Sequence, residues 1–224
     1  MKRIRIAIDG PAGAGKSSVS RLVADKLGYE YIDTGAIYRC LALLMNDTVK
    51  LEDAQGIKAL LKDFDVSFRI VEGVNRVYVN GHDVTGYIRT EKVSMLASSV
   101  SALPFVRDAL LEMQKKYAAK GGVVMEGRDI GTVIMPEAEL KIFLTASPEK
   151  RAGRRMLDLK AKGAEMSFEK LVEEIKKRDE QDAGRKVAPL KKADDAILVD
   201  NTNIDLVKTA DLIVKYANER EISS

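Results

Sequence analysis

Residues 10–18 read GPAGAGKSS and match the spacing G-x-x-x-x-G-K-[ST] in full. A polyphosphate needs many donors in a small concave space. Glycines let backbone amides turn inward with no Cβ in the way. Gly10, Pro11, Ala12, Gly13, Ala14, Gly15, Lys16, Ser17 and Ser18 are therefore the candidate binders of a nucleoside triphosphate. Lys16 supplies a mobile cation for the β- and γ-phosphates. Ser17 offers a hydroxyl to Mg²⁺, a hard ion that also takes phosphate oxygens and water. A helix beginning at Lys16 adds the positive end of its dipole. The loop fixes a donor and leaves the receiver open: water, a protein switch or a second small molecule.

Three further stretches bear on the receiver. In residues 32–39, IDTGAIYR, Asp33 ends a strand and Arg39 sits in the next helix. Ligands of doubly wound sheets bind beyond the carboxyl ends of strands, although Asp33 or Thr34 could equally be a helix cap. In residues 126–131, EGRDIG, Glu126 closes an apolar strand and could orient Mg²⁺ through water. The two flanking glycines would let the backbone at Arg128 and Asp129 approach a ligand. In residues 178–189, RDEQDAGRKVAP, the helix pattern fails at Gly184 and a short loop carries Arg185, where an arginine could swing over a site. Most of 149–177, Arg154 and Arg155 included, reads as a solvated helix face. Asp83 and Gly86 match D-x-x-G by chance, since they fall in an antiparallel segment and the guanine motif N-K-x-D is absent.

These residues need a frame. Strand and helix patterns alternate at both ends of the 224-residue chain, which predicts a parallel sheet with helices on its faces. RIRIAI is the first strand, a helix runs from Lys16 to Leu27, and Gly28 is placed to stop it. YEYID precedes a helix from about Ala36, and 51–61 reads as another amphipathic helix. DVSFRI and RVYVN alternate around VEGVN, a hairpin signal, and form a small antiparallel insertion at roughly 64–88. Helices are predicted over about 90–102 and 104–119, strands at GGVVMEGRD, LKIFLTA and AILVDNT, and a charged helical stretch from Pro148 to about Glu180. That region, 149–192, has 14 basic against 9 acidic side chains. A last helix begins near Leu206, and EREISS is expected to fray.

Composition narrows the chemistry. Net charge is only +3, no signal for nucleic acid. One cysteine, Cys40, and one histidine, His82, exclude an internal disulfide and a Cys/His metal site, so a metal must take oxygen ligands. Cys40 reads as core and His82 as surface. No run approaches a membrane span, and the broken apolar start after MKR is too short for a signal peptide. A reduced, cytoplasmic setting is expected.

Taken in order, IDGPAGAGKSS, DTGAIYR, the IRT ending at Thr90, EGRDIGTVIMP, RRM and RDEQDAGRKVAPL resemble the bacterial cytidylate kinases over nearly the whole chain. The resemblance implies an α/β P-loop nucleoside monophosphate kinase fold. That fold has a five-stranded parallel sheet flanked by helices, a small antiparallel insertion and a helical lid. It implies a single kinase unit with core at 1–63, 104–150 and 193–224, a monophosphate-binding insertion at 64–103 and a lid at 151–192. It implies phosphoryl transfer from ATP to CMP or dCMP with Mg²⁺, in a monomer without nucleic-acid or membrane partners. Carried over by motif, Lys16, Arg128, Arg178 and Arg185 are the expected catalytic residues. Thr34, Arg39, Ser98, Arg107, Arg128, Asp129, Arg178 and Asp182 are the expected CMP binders. Arg39 and Arg128 would hold the acceptor's phosphate, and Arg178 and Asp182 the ribose or the ordering of the lid. Ser98, Arg107 and Asp129 would read the cytosine. Cytosine's N4 amino group suits a carboxylate or hydroxyl, and Arg107 could donate to O2 and N3. Thr34 stands where some members carry serine, and Glu126 where others carry aspartate.

Two readings compete with this one. A kinase of the same build could serve another acceptor, such as another nucleotide or a hydroxy acid. A GTP-dependent switch would need no acceptor at all. Duplex binding by the basic helices is a weaker third, and would be steeply salt-dependent.

Overall fold

The computed structural model describes residues 3–46, 48–119, 121–161, 163–185 and 187–223. Met1 and Lys2 of the MKR start and Lys186 of the RDEQDAGRKVAPL stretch lie outside the described residues. The elements in chain order begin with β1 (Arg5–Asp9), α1 (Lys16–Leu27) and β2 (Glu30–Asp33). Then come α2 (Thr34–Met45), α3 (Ala54–Lys62), β3 (Val66–Val71), β4 (Val74–Val79), β5 (His82–Asp83), α4 (Glu91–Val100) and α5 (Pro104–Ala118). The chain finishes with β6 (Val123–Gly127), a π-helical turn over Ile130–Ile134, β7 (Leu140–Thr145), α6 (Pro148–Ala161), α7 (Phe168–Ala183), β8 (Ile197–Asp200) and α8 (Leu206–Ser223). They fall into two compact units, Met1–Ile32 with Lys115–Ser224, and Asp33–Gln114.

The first unit is built on a five-stranded sheet in the order β2-β6-β1-β7-β8. β1 runs parallel to β6 and β7, and β7 parallel to β8. The apolar run of β1 follows from this place at the middle, where both faces are covered. Ile6 and Ile8 are buried with Val124, Ile142 and Leu144 against Val19 and Val23 of α1 and Ala210 and Ile213 of α8. Each such aliphatic side chain contributes about 1.5–3 kcal/mol on burial. α1 starts after Gly15 and ends at Gly28, both in the left-handed region. α8 continues through most of EREISS to Ser223, and the Tyr29 hydroxyl donates to the Glu221 carboxylate in its last turn. The charged stretch from Pro148 is two helices, not one, and Gly163 turns between them at φ 71°.

The second unit holds the antiparallel sheet β3-β4-β5. β3 and β4 pair in register from Val66 with Val79 to Val71 with Val74, and Glu72 and Gly73 make the tight turn with positive φ. This is the hairpin predicted around VEGVN. Ile37, Leu41 and Met45 of α2 are buried with Ile57, Val66, Val77, Val93 and Leu110. α2 begins two residues earlier than read, since Asp33 caps it by accepting from the Ala36 amide at 3.0 Å. His82 is exposed in β5. Cys40 is fully buried, and burial pushes its thiol up to about 12.

Candidate functional site

The donor loop lies between β1 and α1. At Gly10 the backbone turns with φ 151°, and a Cβ there would sit 1.9 Å from the Leu144 carbonyl oxygen, so only glycine fits. Lys16 is buried, and its Nζ donates to the Pro11 carbonyl at 2.9 Å. Burial and the Arg128 guanidinium push the Lys16 ammonium down to about 7, against the pull of Glu126, Asp9 and Asp182. Ser17 is half-buried in the first turn of α1 and Ser18 is exposed. A cavity of about 600 Å³ beside the loop is lined by Ser18, Lys150, Arg154, Asn201, Asn203 and Asp205 among others.

The residues around this loop were legible only in part. Glu126 is buried and accepts from the Tyr31 hydroxyl at 2.5 Å. Asp9, the last residue of β1, accepts from the Ile130 and Gly131 amides, both at 2.8 Å. It pins the turn that follows Arg128 and Asp129. The close approach at Gly131 is thereby accounted for within the protein, since a Cβ there would meet Lys141 at 3.2 Å and Asp9 at 3.4 Å. Burial raises Asp9 to about 6, outweighing those two amides, which lower it; Asp129 adds to the rise and Lys16 opposes it. Asp9→Ala is expected to cost about 2–4 kcal/mol in urea unfolding at pH 7, by leaving two buried N–H groups unpaired. A folded-state pKa above the unfolded value of 3.8 means that folding takes up a proton between the two, so Asp9's contribution declines as pH rises toward about 6. The stability gap between wild type and variant should therefore shrink over that window, and a gap that widens would contradict the assignment.

On the same unit, Asp182 of α7 is almost wholly buried and gathers two arginines. Arg128 Nε reaches its Oδ2 at 2.9 Å, and Arg185 reaches its Oδ1 at 2.6 Å. Burial alone would raise the Asp182 pKa, but Arg128, Arg185 and Arg178 together hold it below its ordinary value. Arg178 is exposed on the same helix, and Asp129 is buried. Lys16, Arg128, Asp182 and Arg185 are thus brought together. Arg185 lies just past the helix end, as expected, and is paired there with Asp182.

The reading of 149–177 as a solvated face is wrong for two arginines of α6. Arg154 donates to the Ala14 carbonyl at 3.1 Å and to the Asn201 side chain at 3.3 Å. Arg151, which is buried, donates to the carbonyls of Ala146 and Ala12 and to both oxygens of Asp179. Arg155, by contrast, is exposed, as expected of it. Asn201, just past β8, completes the set by donating to the Ala14 carbonyl at 2.9 Å. Asp9 carried a signal, since it ends a strand ahead of the glycine loop, much as Glu126 stands one residue before the end of β6. Arg151 carried none.

The second unit has its own charged cluster. Asp33 accepts Arg39 at 2.6 Å and Arg89 at 3.1 Å on the same Oδ2, while its Oδ1 caps α2. The cap reading of Asp33 is borne out, and its other oxygen holds the two arginines. Arg39 Nε is buried without a hydrogen-bond partner among the described residues. Arg89 lay in the IRT stretch without a role of its own. Thr34 is buried at the start of α2. Arg107 donates to the Ser101 carbonyl at 3.2 Å, and the Ser101 hydroxyl donates to the Ser98 carbonyl at 2.9 Å, so Arg107 and Ser98 belong to one cluster. The Tyr38 ring, 5.8 Å from the Arg107 guanidinium carbon, lies beside it. Among the described residues no group of three or more His, Cys, Asp or Glu side chains could hold a metal, and no helix is long and apolar enough to cross a membrane. The Ser17 hydroxyl beside a glycine cradle is the donor set that fits Mg²⁺ carried on phosphates.

Comparison with known proteins gives a consistent result. The family model described as cytidylate kinase matches residues 6–219. A cytidylate kinase of Carboxydothermus hydrogenoformans is 54% identical over 204 residues, covering 91% of this chain and 92% of that protein. One from Caldicellulosiruptor saccharolyticus is 51% identical, covering 92% of each. Among solved structures, a shikimate kinase from Bacteroides thetaiotaomicron superimposes with a TM-score of 0.50 at 14% identity, over 96% of this chain and 98% of that one. That likeness speaks for the fold alone, a P-loop kinase fold.

Proposed function

This chain belongs to the cytidylate kinase family, and from that premise we propose that it transfers the γ-phosphoryl group of ATP to CMP and dCMP. The products are CDP and dCDP, made with Mg²⁺ by a cytoplasmic monomer of pyrimidine nucleotide metabolism. The observation that carries the reading is the second anion-directed group in the molecule. Besides the glycine loop and Lys16, the chain holds Arg39 with a buried, unpartnered Nε and Arg89 on the shared Asp33 carboxylate. A hydrolase or a switch has no use for a second phosphate receptor, and a nucleotide-to-nucleotide kinase requires one.

In this reading Gly10, Gly13, Gly15, Lys16, Ser17 and their neighbours hold the triphosphate. Ser17 would hold Mg²⁺, whose charge neutralises the phosphate oxygens when bound. Arg39 and Arg128 hold the acceptor phosphate. Ser98, Arg107 and Asp129 read the base, with Thr34 supporting them, and Arg178 and Asp182 hold the ribose. Residues 64–103 serve as the acceptor insertion and 151–192 as the lid, whose closure excludes water and suppresses hydrolysis of ATP. The acceptor phosphate is an anion at pH 7, so no general base is needed. Catalysis is alignment and charge neutralisation by Lys16, Arg128 and Arg185.

An acceptor screen with ATP and Mg²⁺ tests this. CMP and dCMP should give the highest kcat/KM, with UMP, AMP and shikimate lower by about 10²-fold or more. Uracil reverses the donor and acceptor pattern at N3 and C4 and would leave buried groups unpaired. Equal use of UMP or AMP, or slow hydrolysis of GTP with no acceptor turnover, would overturn the reading.

A further inference from the structure

Arg151 is the least exposed charged side chain of α6, at 3%. Its Nε donates to the Ala146 carbonyl at 2.9 Å and one terminal nitrogen to the Ala12 carbonyl at 3.1 Å. The two terminal nitrogens also clasp Asp179 of α7, at 2.9 and 2.6 Å. Such a two-pronged pair holds orientation as well as charge.

Consider what the Ala12 contact does to the loop. In a trans peptide the carbonyl of one residue and the N–H of the next point in opposite directions. A donor that holds the Ala12 carbonyl on one side therefore turns the Gly13 N–H to the other. Asn201 and Arg154 act in the same way on the Ala14 carbonyl, and so on the Gly15 N–H. Lys16 does so on the Pro11 carbonyl. Gly13 also packs on the Arg151 stem, where an added Cβ would lie 3.3 Å from the Arg151 Cβ. Amides that converge on one side of a loop make an anion nest. Arg151 thus shapes the loop from behind.

Now consider the other end of the clasp. Asp179 lies one helical turn before Asp182, which holds Arg128 and Arg185, and directly follows Arg178. α7 is fixed at two carboxylates one turn apart, the first facing the loop's support and the second facing the transfer arginines.

We propose that Arg151 and Asp179 are a positioning pair that couples the shape of the phosphate loop to the placement of Arg178, Asp182 and Arg185. Neither touches the reacting atoms. The kinetic part rests on the kinase reading above.

The test is a double-mutant cycle with Arg151→Met, Asp179→Asn and the two combined. Mg-ATP affinity without acceptor, kcat and KM for CMP, and melting temperature are measured for each. Arg151→Met should weaken ATP binding about 10-fold and lower kcat about 30-fold. Asp179→Asn leaves Arg151 on its two carbonyls, so ATP affinity should stay within about 3-fold of wild type while kcat falls about 10-fold with KM for CMP little changed. The double variant should match Arg151→Met in kcat, because the two act through one contact. Losses in kcat that multiply in the double variant would overturn the coupling. So would lowered melting temperatures with unchanged kcat well below the transition, which is the signature of a structural role. Should Arg151→Met not fold, the half-exposed Asp179→Asn still decides the matter by its split between ATP affinity and kcat. Wild type that binds ATP but fails to use CMP would sink the proposed function alone. Arg151→Met that binds ATP as wild type does would sink the coupling alone.

Discussion

Lys16→Met is expected to lower kcat/KM for CMP by about 10³-fold while the melting temperature at pH 7 rises by about 2–4 °C. The two effects share a cause. Lys16 is a buried cation whose pKa is pushed down by burial and by Arg128. Without nucleotide the fold disfavours its charge, and methionine fills nearly the same volume with none. With a triphosphate in the loop the same charge neutralises the oxygens that gain negative character during transfer. Stability held down for the sake of activity is a recurring trade at such sites. Parallel thermal melts and initial rates check it. A variant that loses stability yet keeps most of its rate would show that Lys16 is a scaffold residue.

Arg185→Ala should lower kcat about 10³-fold, as loss of a transition-state arginine does, with ATP affinity within about 3-fold of wild type and a melting temperature lower by no more than about 4 °C. The fold is spared because Asp182 keeps Arg128 at 2.9 Å when Arg185 is removed, so no buried carboxylate is left alone. Arg185→Lys should recover little, since a point charge does not reproduce the fork. Single-turnover rates at saturating ATP and CMP separate this from a binding defect. A near-normal rate would remove Arg185 from the machinery.

The glycine loop, the hairpin at VEGVN and the strand before each carboxylate were legible because their causes are local. Backbone freedom at Gly10 and Gly15, alternation in VSFRI and RVYV, and the stop at Gly28 all act within a few residues. The break within 148–183 and the docked C-terminal helix were not, since the first turns on Gly163 and the second on Tyr29 meeting Glu221, a partner far away in sequence. Asp33 shows the boundary well. Its place before α2 announced a cap, and the cap exists, but its second oxygen serves Arg39 and Arg89, and Arg89 lies 56 residues on.

The amino-acid order alone settled which residues could meet phosphate, because amide density, a lysine at fixed spacing and a hydroxyl are properties of eight consecutive residues. It could not settle which cations face water and which hold the loop. Arg151, Arg154 and Arg155 stand in one charged helix with nearly the same neighbours in sequence. Arg151 and Arg154 are separated from Arg155 by carbonyls 139 and 140 positions away, at Ala12 and Ala14. The fate of a charge depends on what the folded chain sets opposite it, and periodicity carries no information about that partner.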